Sequence, residues 1–232
     1  MTIRVLVQAA VCGCLVACSS ASLGEIIFTE TFDDDTNFKP NQDLVFSAAD
    51  PADYFGLTYG NTPGVDEKAY GGFDGRYLAG RDVDGIAGFE SPAVNLTWMI
   101  DVSGFENLQF SGKFAQSQDS IGQIDADDYL TLTASLDGGV ASEILAFRGV
   151  GGVFTSSLNQ QLWDTASVHS GAIAGSGNVL TLVFSASVNN GSEDFGADTF
   201  IVTGTPMSEP VPEPGFAGLL AGLALLVRRR RA

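Results

Sequence analysis

The strongest constraint on the fold of this chain is a period of two. Leu180, Leu182, Phe184, Ala186 and Val188 alternate with Thr181, Val183, Ser185 and Ser187; Leu130, Leu132, Ala134 and Leu136 alternate with Thr131, Thr133 and Ser135. Earlier, Leu108, Phe110, Gly112 and Phe114 do the same against Gln109, Ser111 and Lys113. Successive side chains of an extended backbone point to opposite faces, so each segment offers one face to a core and the other to water. Asp137-Gly138-Gly139 separates 129–136 from 143–147 as a hairpin loop would, and Asn190-Gly191-Ser192 marks a second turn. The pattern gives ten to twelve strands between Glu25 and Gly204, with no helical stretch of useful length and no repeat of 20 to 50 residues. The predicted fold is all-β, a two-sheet antiparallel jelly-roll-like β-sandwich spanning 25–204.

Charge limits what such a body can bind. Between Glu25 and Ser208 only Lys39, Lys68, Arg76, Arg81, Lys113 and Arg148 are basic, against twenty-six acids, a net charge of −20. A surface of that sign repels phosphate backbones, so nucleic acid is not an expected partner. It suits divalent cations, a salty medium or simple solubility.

The two ends differ in kind from the body. Residues 1–24 open with Arg4, continue through an apolar segment from Val5 to Val16, and reach the small residues Ser19 and Ala21, the layout of a secretory signal peptide with its short helix. All three cysteines, Cys12, Cys14 and Cys18, fall inside it, so no disulfide staples the body and no zinc cluster can form there. Leu15-Val16-Ala17-Cys18 also resembles the lipobox of bacterial lipoproteins, which makes Cys18 a candidate lipidation site.

At the other end, a linker over 205–214 carries Val211-Pro212-Glu213-Pro214, followed over 215–232 by thirteen apolar residues and then Arg228, Arg229, Arg230 and Arg231. As a helix the apolar run reaches about 20 Å, against roughly 30 Å of bilayer hydrocarbon. The arginines hold their end on the cytoplasmic side while the body is exported, and their stems extend the reach of the run. The two prolines keep the motif extended and remove two amide donors, so it stays out of helix and sheet, with Glu213 as its one charged handle. Motif, apolar run and arginine end together resemble the PEP-CTERM sorting signal of exported bacterial proteins. The resemblance implies recognition and cleavage by an exosortase-like membrane enzyme, transient membrane association through the tail, and delivery to the cell surface or extracellular matrix.

Within the body, Glu30-Thr31-Phe32-Asp33-Asp34, the stretch from Asp128 to Gly139, and Asp198-Thr199-Phe200-Ile201-Val202-Thr203-Gly204 resemble exported adhesin-type and carbohydrate-binding-type sandwiches. Extracellular polysaccharide is the partner this resemblance implies. Two calcium sites follow as candidates. Asp82 and Asp84 flank a turn ending in Gly85 and offer two carboxylates. Glu30 and Asp198 lie on the first and last strands, which often pair in a sandwich, and by the same resemblance a site there is structural.

No catalytic pattern is complete, although composition does not exclude a Ser-His-Asp triad and the many acids leave glycoside hydrolysis by paired carboxylates open. The one histidine, His169, sits in a strand-like stretch and reads as structural; there is no Gly-x-Ser-x-Gly elbow, and the many acids of 33–35, 82–85 and 125–128 read as solvated turns. Tyr54, Phe55, Tyr59, Tyr70, Phe73 and Tyr77 crowd a glycine-rich region, where exposed rings would stack on sugars and buried rings would fill the sandwich edge; edge-filling is the simpler reading. The expected protein is exported, non-enzymatic, and structural or adhesive. A secreted carbohydrate-binding or carbohydrate-active protein is the alternative.

Overall fold

The computed structural model describes residues 24–208 apart from 48 and 89–92. The signal segment up to residue 23 with Cys18, the motif Val211-Pro212-Glu213-Pro214 and the arginine-ended tail lie outside the described residues. Among those described, no helix is long and apolar enough to cross a membrane.

Two antiparallel sheets pack as a sandwich. The first holds β1 (Glu25–Glu30), β3 (Val45–Ser47), β4 (Asp50–Thr58), β5 (Tyr77–Arg81), β7 (Phe105–Gln116), β11 (Ser167–Ala172) and β13 (Asp194–Pro206). Its order is β11-β7-β13-β5-β4-β3, with β1 also paired to β13. The second holds β2 (Lys39–Pro40), β6 (Val94–Asp101), β8 (Tyr129–Leu136), β9 (Ser142–Val150), β10 (Val153–Ser156) and β12 (Val179–Ser187), in the order β10-β9-β8-β12-β6-β2. The described residues thus hold thirteen strands where alternation gives ten to twelve, because pieces as short as β2 and β3 are too brief to display a period. The 137–139 hairpin forms as expected, with Asp137 and Gly138 both at positive φ.

The inward residues of the two sheets meet as expected. Leu180, Leu182, Phe184 and Ala186 of β12 interleave with Leu96, Trp98 and Ile100 of β6 and Leu130, Leu132 and Ala134 of β8. Opposite them, Phe200 of β13 touches the rings of Phe32, Phe110, Phe114, Trp98 and Phe184 at centroid distances of 5.0, 5.2, 5.5, 5.6 and 5.8 Å. Gly112 of β7 lies in this layer because a Cβ there would come within 2.8 Å of the Phe200 ring.

The expectation that each strand shows one face to water fails for part of the first sheet. All of β5 is buried, as are Phe114, Ala115 and Gln116 in sequence on β7. The cause is a second apolar layer on the outer face of this sheet. Removing the Phe200 ring empties the centre of the aromatic layer, so Phe200→Ala should cost about 3–5 kcal/mol. Val140→Ala, at an exposed loop position, should stay within about 0.5 kcal/mol. Urea unfolding midpoints with unchanged slopes check both.

Candidate functional site

The two outer faces of the sandwich have opposite characters. On the second sheet, residues that alternate with the core form rows across neighbouring strands. Met99, Thr181 and Ser135 stand in one row, Thr97, Val183 and Thr133 in the next, and Asn95, Ser185 and Thr131 in a third. Tyr129 pairs across to Arg148 of β9, whose guanidinium carbon lies 5.3 Å from the Tyr129 ring centroid and whose Nη2 donates to Glu143 Oε2 at 2.7 Å. At one end, Met99, Asp101, Ser103, Asn178 and Val179 line an open depression of about 450 Å³. The three rows are therefore mostly hydroxyl and amide side chains, interrupted by Met99 and Val183, with one aromatic ring beside a cation; Thr131 is buried and the others are half-buried or exposed. Hydroxyls of this kind both donate and accept hydrogen bonds, as the ring hydroxyls of a polysaccharide do.

Part of the outer face of the first sheet, over β4, β5 and the start of β13, is covered, while Val168 of β11 and Ile26 of β1 stay exposed. Tyr54, Tyr70, Tyr77, Ala79 and Ala115 form a buried cluster, with Phe46, Val65, Phe73 and Ala166 packed against it. Phe46 stacks on Tyr54 at 5.2 Å and Phe73 on Tyr77 at 4.7 Å. Gly196 of β13 lets the cluster lie against the sheet, since a Cβ there would reach within 2.7 Å of the Phe73 ring and 2.8 Å of Tyr70. Of the six rings that sequence placed near a sugar platform, only Tyr59, 63% exposed, is open to solvent among the large aromatics; Tyr54, Phe55, Tyr70 and Tyr77 are core. The edge-filling reading holds.

Beneath this cluster lies a buried charge network. Asp194, fully buried, accepts from Tyr54 Oη at 2.9 Å and from Ser120 Oγ at 3.3 Å, with Arg81 Nε 3.7 Å away. Arg81 also donates through Nη1 to Asp66 Oδ2 at 2.7 Å and through Nε to the Gly191 carbonyl at 2.7 Å. One guanidinium thereby ties the 59–76 loop and the 189–193 turn to the sheet. Burial pushes the Asp194 carboxyl and the Tyr54 hydroxyl upward from their ordinary pKa ranges, while Arg81 opposes the shift on both.

The candidate calcium ligands fall in two separate places. β1 pairs with β13 as expected, with Glu30 opposite Phe200. Glu30 Oε1 accepts from the Phe32 amide at 2.8 Å and Oε2 from Trp98 Nε1 at 3.2 Å. Asp198 Oδ1 accepts from the Thr199 amide at 2.7 Å, and Oδ2 from the Asp74 amide at 3.4 Å. Both carboxylates are buried, which raises their pKa, and each oxygen already has a protein donor. Phe32 and Thr199, the residues that turn the backbone here, sit at positive φ.

Asp82 and Asp84 form the turn after β5, within hydrogen-bonding reach of one another, with Asp53 also against Asp82. Burial first, then these two neighbouring acids, push the Asp82 carboxyl up to about 7. Among the described residues no three His, Cys, Asp or Glu side chains converge to hold a metal.

His169 is buried, deeper than the surface or half-buried structural position expected from sequence. Its Nε2 lies 2.8 Å from Ser167 Oγ and its Nδ1 3.3 Å from Gln160 Oε1, while its ring meets Phe147 edge-on at 4.8 Å. Burial lowers its pKa and so favours the uncharged ring, and an amide oxygen lies where a catalytic triad needs a carboxylate.

Sequence reasoning missed one constellation. Asp128, read as a loop acid, is 0% exposed, and Glu193 is 1% exposed; their carboxyl groups lie within hydrogen-bonding reach of each other. Burial and the Asp128 charge push Glu193 up to about 7. The available signal was position: each acid directly precedes a strand or its first residue, where the chain turns into the core.

No protein-family model matches the chain, and no curated protein matches it. Among solved structures, the chain is similar to the CBM22-1 xylan-binding domain of Xyn10C from Paenibacillus barcinonensis, at 13% identity and a TM-score of 0.43, covering 82% of this chain and 100% of that one. It is similar to the K3 cleaved adhesin domain of Lys-gingipain from Porphyromonas gingivalis, at 13% identity and a TM-score of 0.46, covering 78% of this chain and 98% of that one. It is also similar to a family two carbohydrate esterase from Cellvibrio japonicus, at 10% identity and a TM-score of 0.36, covering 82% of this chain and 37% of that one.

Asp82 and Glu193 hold their protons to higher pH in the folded than in the unfolded chain. The stability they contribute is therefore complete below the ordinary carboxylate range, near about pH 4, and is lost as pH rises through about 7. With chelator present, the urea midpoint should be lower at pH 8 than at pH 5, and the gap should narrow in an Asp82→Asn, Glu193→Gln chain.

Proposed function

We propose that this chain is an exported, non-enzymatic surface or matrix protein, delivered by its signal segment and PEP-CTERM-like tail, whose body adheres to extracellular polysaccharide. The tail supports the destination: Val211-Pro212-Glu213-Pro214 presents an extended, donor-poor segment ahead of an apolar run ending in Arg228, Arg229, Arg230 and Arg231. An exosortase-like enzyme at the membrane would cut there and release the body outward.

The asymmetry of the sandwich carries the reading of the body. One outer face is partly closed by aromatic rings and an arginine clamp, and the other carries rows of threonine, serine and asparagine side chains that, apart from Thr131, reach solvent at least in part. A long polymer of hydroxylated rings can lie across such a face without a cleft, exchanging water contacts for many weak hydrogen bonds. A non-enzymatic role is favoured by the buried His169, which meets an amide rather than a carboxylate, and by the open depression at the end of this face, which offers no place to exclude water from a reacting bond.

Two measurements test the proposal. Mass spectrometry of the mature surface protein should find residues 215–232 gone and a new N-terminus near Ser19 to Glu25; an intact arginine end on that protein refutes the sorting role. Palmitate labelling that disappears in Cys18→Ala would assign the N-terminus to lipidation. For the body, retention on insoluble polysaccharide should fall by at least about tenfold in a Thr133→Lys, Thr181→Lys chain with an unchanged melting temperature. Equal retention would remove the face from the argument.

A further inference from the structure

Asp128 and Glu193 stand apart from the other buried acids of the protein. Glu30, Asp194 and Asp198 each have neutral donors on both oxygens, and Asp194 has Arg81 as well. Asp128 and Glu193 face each other instead, and among the described residues no ion pair reaches either of them.

Each of the two accepts one backbone hydrogen bond. Asp128 Oδ2 accepts from the Asp125 amide at 2.6 Å, and Glu193 Oε2 accepts from the Asn189 amide at 2.8 Å. Asp128 Oδ1 is completely buried and has no hydrogen-bond donor. The surrounding backbone is fixed: the Asp128 carbonyl accepts from the Gly149 amide at 3.1 Å, and the Glu193 amide donates to the Asn190 carbonyl at 2.9 Å. The carboxylate of Asp125, nearby and exposed, adds its negative field to both groups. Two buried carboxylates without a counter-charge are strongly unfavourable, and a lone-pair oxygen with no donor adds to the cost.

We propose that Asp128 and Glu193 form a binding site for a hard divalent cation of the calcium class, set between the 125–128 turn and the start of β13. The donor chemistry selects the ion, because both candidate ligands are carboxylates, hard oxygen donors. Two carboxylates joined by main-chain carbonyls and water suit calcium, which accepts irregular coordination, better than magnesium, which demands an octahedron. A site with only two buried carboxylates belongs to the weak class of about 10⁻⁴–10⁻³ M found in extracellular modules. By joining the turn before β8 to the turn before β13, the ion would fasten the two sheets to each other at one end.

The test uses the full chain, stripped with chelator and held at pH 7.5, with melting temperature followed against calcium chloride, magnesium chloride and sodium chloride of matched ionic strength. Calcium should raise the melting temperature saturably, and magnesium less. Asp128→Asn and Glu193→Gln should each abolish the calcium shift, while in chelator neither variant melts below the parent, because the amide relieves the repulsion. A shift that survives both substitutions but disappears in Asp82→Asn or Asp198→Asn overturns the proposal, as does the absence of any saturable shift. Should both variants fail to fold, hydrogen exchange on the unaltered chain decides: calcium must protect amides at 125–129 and 189–194, and protection confined to other segments overturns the site.

Discussion

Everything in this sandwich hangs on β13. Along one edge it pairs with β7 over nearly its whole length; along the other it pairs first with β5, at Asp194–Ala197, and then with β1, at Phe200–Gly204. The handover occurs at a register break between Asp198 and Ile201, where Thr199 adopts a positive φ. An extra residue in a strand reverses which side chains face inward. Here the buried set passes from Phe195 and Ala197 to Phe200 and Val202, so one strand feeds the same core on both sides of the break. Without that irregularity either Phe195 or Phe200 would point to the wrong face, and the aromatic layer that joins the sheets would lose its centre.

The irregularity also decides what happens on the outer face. Ahead of it, Gly196 points outward and admits Tyr70 and Phe73, so the first sheet gains a second apolar layer there. Burying each such ring stabilises the fold by roughly 1.5–3 kcal/mol, but the layer covers Asp194 and Arg81 and takes them out of water. Those charges tolerate burial because they face each other and because tyrosine, serine and backbone carbonyl groups complete their hydrogen bonds. Covering this part of the first sheet leaves the second sheet's outer face without a comparable apolar layer among the described residues. The Thr, Ser and Asn rows there need no partner from the chain itself, since each alternates with a residue fully committed to the core.

The sheets were legible from alternation alone: β7, β8, β12 and the 137–139 hairpin fall where Leu, Phe and the Asp-Gly-Gly turn place them. The pairing of β1 with β13 was legible from general sandwich architecture. What escaped depends on distant parts of the chain. Tyr70 and Tyr77 are buried because the 59–76 loop folds over a sheet, and no local pattern reports that. Asp128 sits in an acidic run that looks solvated, and only its place at the mouth of β8 turns it inward. The positive φ at Phe32 and Thr199 is equally silent, since neither residue type favours that conformation. Local chemistry therefore reveals strands and turns, whereas the fate of an acid or an aromatic at a strand end is set by what packs over it.

Charge gives these buried acids their meaning. The body carries twenty-six acids and six bases, so its field disfavours every carboxylate it encloses. Five of the six bases have partners: Lys68, Arg81, Lys113 and Arg148 are in ion pairs with acids, and Arg76 donates to the Asp33 and Leu57 carbonyls. Arg81 serves Asp194, and amide and indole donors serve Glu30 and Asp198. That distribution leaves the fully buried Asp128 and Glu193 without a base beside them among the described residues, and on the proposed site their neutrality comes as a proton at low pH or as a bound cation at neutral pH. In a molecule of this sign the surrounding field raises the local concentration of small cations, so the same excess of acid that destabilises the pair also delivers its remedy.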